Sequence, residues 1–381
     1  MIITDADALA WASDDYGHRV HLRPAGVLRP SSAADIQAAL AAGHRLRPRG
    51  EGHSTAGQAQ VPGGVVVDMR GLNAIGPVHG DTVTVGAGAR WSSILATTLP
   101  EGLTPPVLTD YLELSAGGTL SAGGIGGAAH QHGLQVDNVL EMEVLTNDGC
   151  ICTCGPGDEL FDLVRGGRGE HGIILSARLP LIPAPTHARR YVIPYPDLPQ
   201  FLADQRALMA SRRFSYLEGQ AKPGWSYEIE AVSFYTPPAA PAELPPGLPP
   251  ATVEDLGYFD FLNRVAEGER LLRQIGDWAR PHPWADLMLP DDAADAFLGD
   301  LMAGMTVEDL GEFGVFLIYP FDTTLIRAPQ PRVPATPAAF LVALLRTAQD
   351  ASALAHMLEL NDRLRSQTLA AGGSVYQDWC R

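Results

Sequence analysis

The strongest constraint on this chain is where it puts glycine. Three clusters, Gly50-Glu-Gly52-His53-Ser54, Gly86-Ala-Gly88 and GGTLSAGGIGG (Gly117 to Gly127), alternate with β-branched runs. Those runs, GGVVVDM, DTVTVGAGA, EMEVLTNDG and GIILSARLPLIP, are punctuated by Gly and Asp and read as short strands. Glycine in turns between strands lets backbone N–H groups approach a ligand and curl around an anion such as a pyrophosphate. Several such loops in one region point to a dinucleotide. A Rossmann fingerprint fits poorly, because VGAGARW lacks the third glycine and no βαβ unit with a ribose-binding acid follows.

The chain has 381 residues, 46% of them hydrophobic and 19% charged, which is material for two ordinary domains and a real core. Its net charge of −17 argues against nucleic-acid polymers and anionic membranes as partners, since both call for clustered cations. No apolar run approaches the roughly 18–20 residues of a membrane span. The acidic start, MIITDADALAWASDD, lacks the basic and apolar segments of a signal peptide, so a cytoplasmic location is expected. Lys222 is the single lysine, and this arginine-rich usage fits a GC-rich bacterial genome. Cys150, Cys152 and Cys154 alternate as residues on one strand face do, and their spacing is not that of a zinc site. They read as small apolar side chains, and no metal is expected.

Three regions follow. Residues 1–187 mix the strands above with helices such as SAADIQAALAAG, capped by serine and closed at Gly43, and SSILATTL. Residues 188–345 carry longer elements: a helix in YPDLPQFLADQRALMASR, strands in YLEGQ and SYEIEAVSFYTP, and one long amphipathic helix over DFLNRVAEGERLLRQIG. The proline-rich PPAAPAELPPGLPP between strand and helix is expected to be an exposed, mobile loop. Residues 346–381 contain a helix closed by Gly372 and Gly373.

Single residues leave alternatives open. His53 is a surface or satisfied histidine on composition alone; it has no metal partner at i+2 or i+4, and a neutral imidazole can also add to the electrophilic methyl of a flavin. Asp110, before the apolar YLEL run, is either a turn aspartate or a partly buried base. Trp284 is either a packing residue or an indole that stacks on a purine. His130 and His132 do not form a convincing metal pair.

Segments along the whole chain resemble the cytokinin dehydrogenases, within the vanillyl-alcohol-oxidase (PCMH) type of FAD-linked oxidases. They are PRGEGHSTAGQAQVPGGVVVDM, LTDYLELSAGGTLSAGGIGGAAHQHGLQVDNVLEMEVLT, FDLVRGGRGEHGIILSARLPLIPAP, FSYLEGQ, YFDFLNRVAEGE, RPHPWADLMLP and FLIYPFD, in family order. The GHS segment alone is evidence for FAD, whereas TDYLELSAGGTLS with HPW is specific to the cytokinin branch.

The resemblance implies an α+β fold. Residues 1–187 would be a PCMH-type FAD-binding domain of two α/β subdomains, and 188–345 a substrate domain with an antiparallel sheet flanked by helices. Residues 346–381 would be a C-terminal helix with a truncated return to the FAD domain. It implies a covalent bond from His53 to the flavin, with Gly50, Gly52, Ser54, Gln58, Ser115, Ser121, Ile125, Ile174 and Tyr376 holding FAD. Asp110 would be the catalytic carboxylate, and Trp284 and Pro320 would wall the substrate cavity. The implied reaction oxidises N6-prenylated adenines by hydride transfer to flavin N5 and yields adenine and an aldehyde, with a quinone-like compound or oxygen as acceptor. The chain departs from the family in two ways. It ends at VYQDWCR without the family's Pro-Gly-Gln segment, and residue 130 is histidine where an aromatic is expected. The alternatives are a same-fold oxidase of another small amine or alcohol, and a flavin- or purine-binding protein without turnover.

Overall fold

The computed structural model describes residues 1–222 and 224–376 and has an α+β fold. In its first half, Gly26–Leu28, Val65–Asp68 and Leu46–Arg49 pair in parallel, and Ile2–Ile3 adds an antiparallel edge. Val65, Val66 and Val67 are all buried, as expected of a parallel strand covered on both faces. The connecting helix Ala33–Ala41 starts where the Asp35 carboxylate accepts the Ser32 N–H at 3.0 Å.

The second sheet is antiparallel, in the order Thr82–Gly86, Gly172–Pro180, Glu141–Thr146 and Ile151–Cys154. Val83, Val85, Met142, Val144 and Leu179 pack there with Trp91, Ile94 and Phe161. Cys154 is buried but Cys150 is exposed, because it precedes the edge strand Ile151–Cys154. The apolar face expected of the three cysteines exists only at its Cys154 end.

From His187 onward the chain builds one eight-stranded antiparallel sheet that runs through Ser374–Val375. Its two faces follow the period-2 alternation of strands. Ile193, Ile229, Leu287, Phe316, Ile318, Phe340 and Val342 point to one side, where Phe201, Leu298 and Leu360 of three helices cover them. Tyr216, Val232, Met288, Tyr319, Leu341 and Ala343 point to the other side and join the core of the first half. The sheet is therefore a wall with helices behind it and the glycine loops in front.

One sequence expectation changes. The long helix over DFLNRVAEGERLLRQIG is two helices, Tyr258–Leu262 and Val265–Ile275, because the chain turns at Asn263 and Arg264 to send a guanidinium inward. The proline-rich segment is the exposed loop expected of it, and it touches the fold at a few points. Ala242, Leu244 and Leu248 pack on the helix-side core, and the Ala242 carbonyl accepts the Tyr191 hydroxyl at 3.0 Å. The C-terminal region has its helix, Ala351–Ala370, packed on the large sheet, and Tyr376 makes a contact back to the first half. The rest of VYQDWCR, from Gln377 on, lies outside the described residues. Among the described residues no helix is long and apolar enough to cross a membrane.

Arg346 fixes the segment that carries Trp284. It is 1% exposed and donates to the carbonyls of Pro283 (3.2 Å), Asp309 (2.7 Å) and Met357 (2.9 Å), and to Asn361. Asn361 in turn donates to the carbonyls of Pro283 and Trp284. Burial pulls the Arg346 pKa down to about 10, so the group stays charged at neutral pH. Arg346→Met strands these carbonyls and is expected to cost about 3 kcal/mol, read as a lower urea midpoint.

Candidate active site

A cavity of about 340 Å³ lies between the glycine loops and the large sheet. His53, Gly50, Gly52, Ser54, Gln58, Asp110, Ser115, Ser121, Ile125, Ile174, Trp284 and Tyr376 all line it. Pro320 does not. Along Val315–Asp322 the cavity takes Leu317 and Tyr319, so Pro320 is out of phase with the cavity-facing residues. That expectation is corrected, and Tyr319 stands in its place.

The loops are shaped by close approach and by buried polar anchors. A Cβ on Gly50 would overlap the Ser115 side chain, so the two loops can meet only at glycine. Asp15 accepts from the Ser54 hydroxyl (2.9 Å) and from the Gly57 (2.7 Å) and Gly17 (3.1 Å) N–H groups, tying the loop after His53 to the N-terminal segment. The Ser54 hydroxyl is thus already engaged. The Gly124 N–H donates to the Tyr376 hydroxyl at 2.6 Å and joins the third glycine cluster to the large sheet. Arg47 also lines the cavity, beside the Arg168 carbonyl to which it donates at 3.3 Å.

His53 sits in an aromatic stack. Its ring lies 4.0 Å from Tyr16, which in turn stacks at 4.1 Å on His282, and Trp284 meets Tyr16 edge-on at 5.1 Å. Tyr111 is 4.9 Å from His53. Burial, assisted by His282 and Arg273, pushes the His53 pKa down to about 3. The imidazole is therefore neutral at physiological pH, and among the described residues no protein hydrogen bond claims its nitrogens.

Asp110 meets a different environment. Its Oδ1 accepts from the Tyr216 hydroxyl at 2.6 Å and from Arg264 at 2.9 Å. Arg264 also lies 3.3 Å from Glu230 and 3.7 Å from Glu218. Burial disfavours the Arg264 charge, but Tyr216, Asp110 and the two glutamates outweigh it and hold its pKa high. Burial first, and then the charge of Asp110, push the Glu218 carboxyl well above the carboxylate range, which favours its protonated form. Tyr216 fits because its partner is Gly127, where a Cβ would stand 2.5 Å from the phenol ring. His130 lies behind this site rather than in the cavity, with its ring nitrogens 2.8 and 2.9 Å from the carbonyls of Gly127 and Phe214.

Sequence reasoning missed Tyr16, Tyr216, Glu218, Arg264 and Asp286. The two carboxyls left a signal. Glu218 in YLEGQ and Asp286 in WADLML are acids in phase with the cavity-side residues of their strands, Tyr216 in one case and Trp284 and Met288 in the other. Tyr16 left none, since only tertiary packing brings it to His53.

The arrangement brings aromatic surface, a neutral imidazole and a carboxyl anchored by two donors to one cavity. Residues 24–155 match an FAD binding domain family, and residues 250–375 match the family described as cytokinin dehydrogenase 1, FAD and cytokinin binding. The chain is 39% identical over 402 residues to the uncharacterized oxidoreductase ORF5 in the fasciation locus of Rhodococcoides fascians, covering 99% of this chain and 91% of that protein. It is 36% identical over 383 residues to cytokinin dehydrogenase 10 of Oryza sativa subsp. japonica, covering 84% of this chain and 70% of the relative. With cytokinin dehydrogenase 2 of Arabidopsis thaliana the identity is 34% over 367 residues, covering 83% and 73%.

The lining fits FAD. Arg47, the Ser115 hydroxyl and the glycine backbones suit a diphosphate, Met69, Ala87, Ile125 and Ile174 offer apolar surface to rings, and His53 presents a neutral nitrogen. The chain belongs to the cytokinin dehydrogenase family of FAD-dependent oxidoreductases.

Proposed function

We propose that this protein oxidises N6-prenylated adenines, cleaving them to adenine and an aldehyde. The observation that carries the reading is Asp110, a carboxylate held by Tyr216 and Arg264 in the same cavity as His53 and Trp284. Tyr216 and Arg264 both bind Oδ1 and Glu218 also hydrogen-bonds the carboxyl, and the acceptor sites of a carboxylate still leave capacity for the N–H of a secondary amine. Asp110 accepts that hydrogen bond and, as the adjacent carbon is oxidised, the proton. Tyr216 and Arg264 are positioning residues that fix the carboxylate, and Glu218 keeps a proton beside it. Trp284 and Tyr111 line the cavity and supply aromatic surface for the purine, while Tyr16, stacked between His53 and His282, backs them. When bound, the flavin supplies the two-electron sink for the carbon attached to the amine nitrogen. Water then completes cleavage of the oxidised amine, and a quinone-like acceptor or oxygen is the final electron sink in this reading. His53 would hold the cofactor covalently, a role supported by its neutral imidazole in the lining of the cavity.

The deciding experiment is the anaerobic visible spectrum of the purified holoenzyme before and after N6-isopentenyladenine. Bleaching is expected. A yellow protein that bleaches only with other small amines or alcohols moves the reading to a same-fold oxidase of another substrate, and one that never bleaches leaves a binding protein. Asp110→Asn keeps the shape but cannot take the proton, and should slow flavin reduction by about 10²–10⁴-fold in stopped flow. For His53, acid precipitation should leave the flavin colour with the wild-type pellet and release it to the supernatant from His53→Ala. Colour released from both would remove the tether.

A further inference from the structure

The large sheet presents an almost wholly apolar face to the cavity, made of Leu317, Tyr319, Leu341, Ala343 and Leu345. Asp286 interrupts it. It lies on Ala285–Pro290, on the same strand face as Trp284 and Met288, and its side chain lines the cavity. Its cross-strand neighbour is Ala343, whose single methyl leaves room beside the carboxyl. On its other flank the backbone carbonyl of Asp286 accepts the Tyr376 N–H at 2.9 Å, which places Tyr376 alongside. No hydrogen bond or ion pair joins the Asp286 carboxyl to any described residue. Every other cavity-facing carboxyl is engaged: Asp110 by Tyr216 and Arg264, and Glu51 by Arg90. In the reading above the Arg264 cluster serves the amine proton, which leaves Asp286 without an assigned partner.

We infer that Asp286 is a specificity-determining residue whose carboxyl selects substrates carrying a hydrogen-bond donor, a hydroxyl or an ammonium group, on the arm that leaves as the aldehyde. The inference rests on the amine-oxidation reading above. A buried acceptor that a ligand desolvates without pairing penalises that ligand, and a site built around it rejects the analogue that lacks the donor. An all-hydrocarbon arm lying on the sheet would cover the Asp286 carboxyl and give it nothing. A terminal hydroxyl or ammonium would pair with it. Burial alone pushes Asp286 up to about 6, the mark of a carboxyl that no cation or donor yet compensates.

The test uses the holoenzyme and three probes: N6-isopentenyladenine, its derivative hydroxylated at the end of the prenyl arm, and the corresponding terminal amine. Dissociation constants come from quenching of tryptophan fluorescence, and limiting rates from anaerobic flavin bleaching. Wild type is expected to bind the hydroxylated and aminated probes on the order of 10- to 100-fold more tightly than the hydrocarbon one. Asp286→Asn should keep the hydroxyl preference and lose the ammonium preference. Asp286→Leu should lose both and shift the ratio toward the hydrocarbon probe, a change that a merely structural role would not produce. A preference that follows Asp286 without any bleaching sustains the inference and overturns the oxidation reading. Bleaching with equal affinity for all three probes does the reverse. A shifted flavin absorption band with unchanged preference would place Asp286 against the cofactor and overturn the inference. Absence of saturable binding by all three probes overturns both.

Discussion

One buried guanidinium organises the site. Three carboxyls, Asp110, Glu218 and Glu230, cannot share a largely buried volume without cations among them; Arg264 reaches all three, and Arg190 adds a second contact to Glu230 at 2.7 Å. The three carboxyls and Arg264 come from a loop of the first half, two strands of the large sheet and the turn between two helices. Satisfying the cluster therefore means docking the halves against each other and breaking the helix at Asn263 and Arg264. The cavity exists where that docking leaves space, between glycine loops too thin to fill it and a sheet too flat to reach in.

Burial sets opposite protonation states within this one volume. It depresses His53 toward a neutral base and raises Glu218 toward a neutral acid. Asp110 is the carboxyl to which a phenol and a guanidinium both donate. A neutral nitrogen and an acid biased toward its neutral form thus stand in one volume with a carboxyl anchored by two donors. That is the combination that cofactor attachment and amine oxidation would need.

Much of this was legible in the sequence, and the failures share a cause. The glycine clusters, the triple valine of the parallel strand and the loop residues from Gly50 to Gln58 are local signals, and local backbone chemistry decides them. Asp110 and Trp284 came from family motifs, because nothing in their immediate neighbours distinguishes a base from a turn residue. The helix over DFLNRVAEGERLLRQIG failed because its apolar periodicity continues across Arg264, whose partners lie far away in sequence. Pro320 failed by a single residue of register, since Tyr319 is the one in phase with the cavity wall. The proline-rich segment is the exposed loop its composition implies, though composition says nothing about Tyr191, which bonds the Ala242 carbonyl.

The large sheet separates two kinds of evolutionary freedom. Along Val315–Asp322 and Ala338–Leu345, Phe316, Ile318, Phe340, Val342 and Leu344 belong to the helix-side core, whereas Leu317, Tyr319, Leu341, Ala343 and Leu345 shape the cavity. Neighbouring codons thus answer to different selective pressures, one set to persistence of the fold and the next to the choice of molecule. A lineage can drift toward new substrates by changing every second residue of two strands while the residues between them hold the scaffold constant. A mutational library confined to the cavity-side positions would sample recognition with little loss of folded protein.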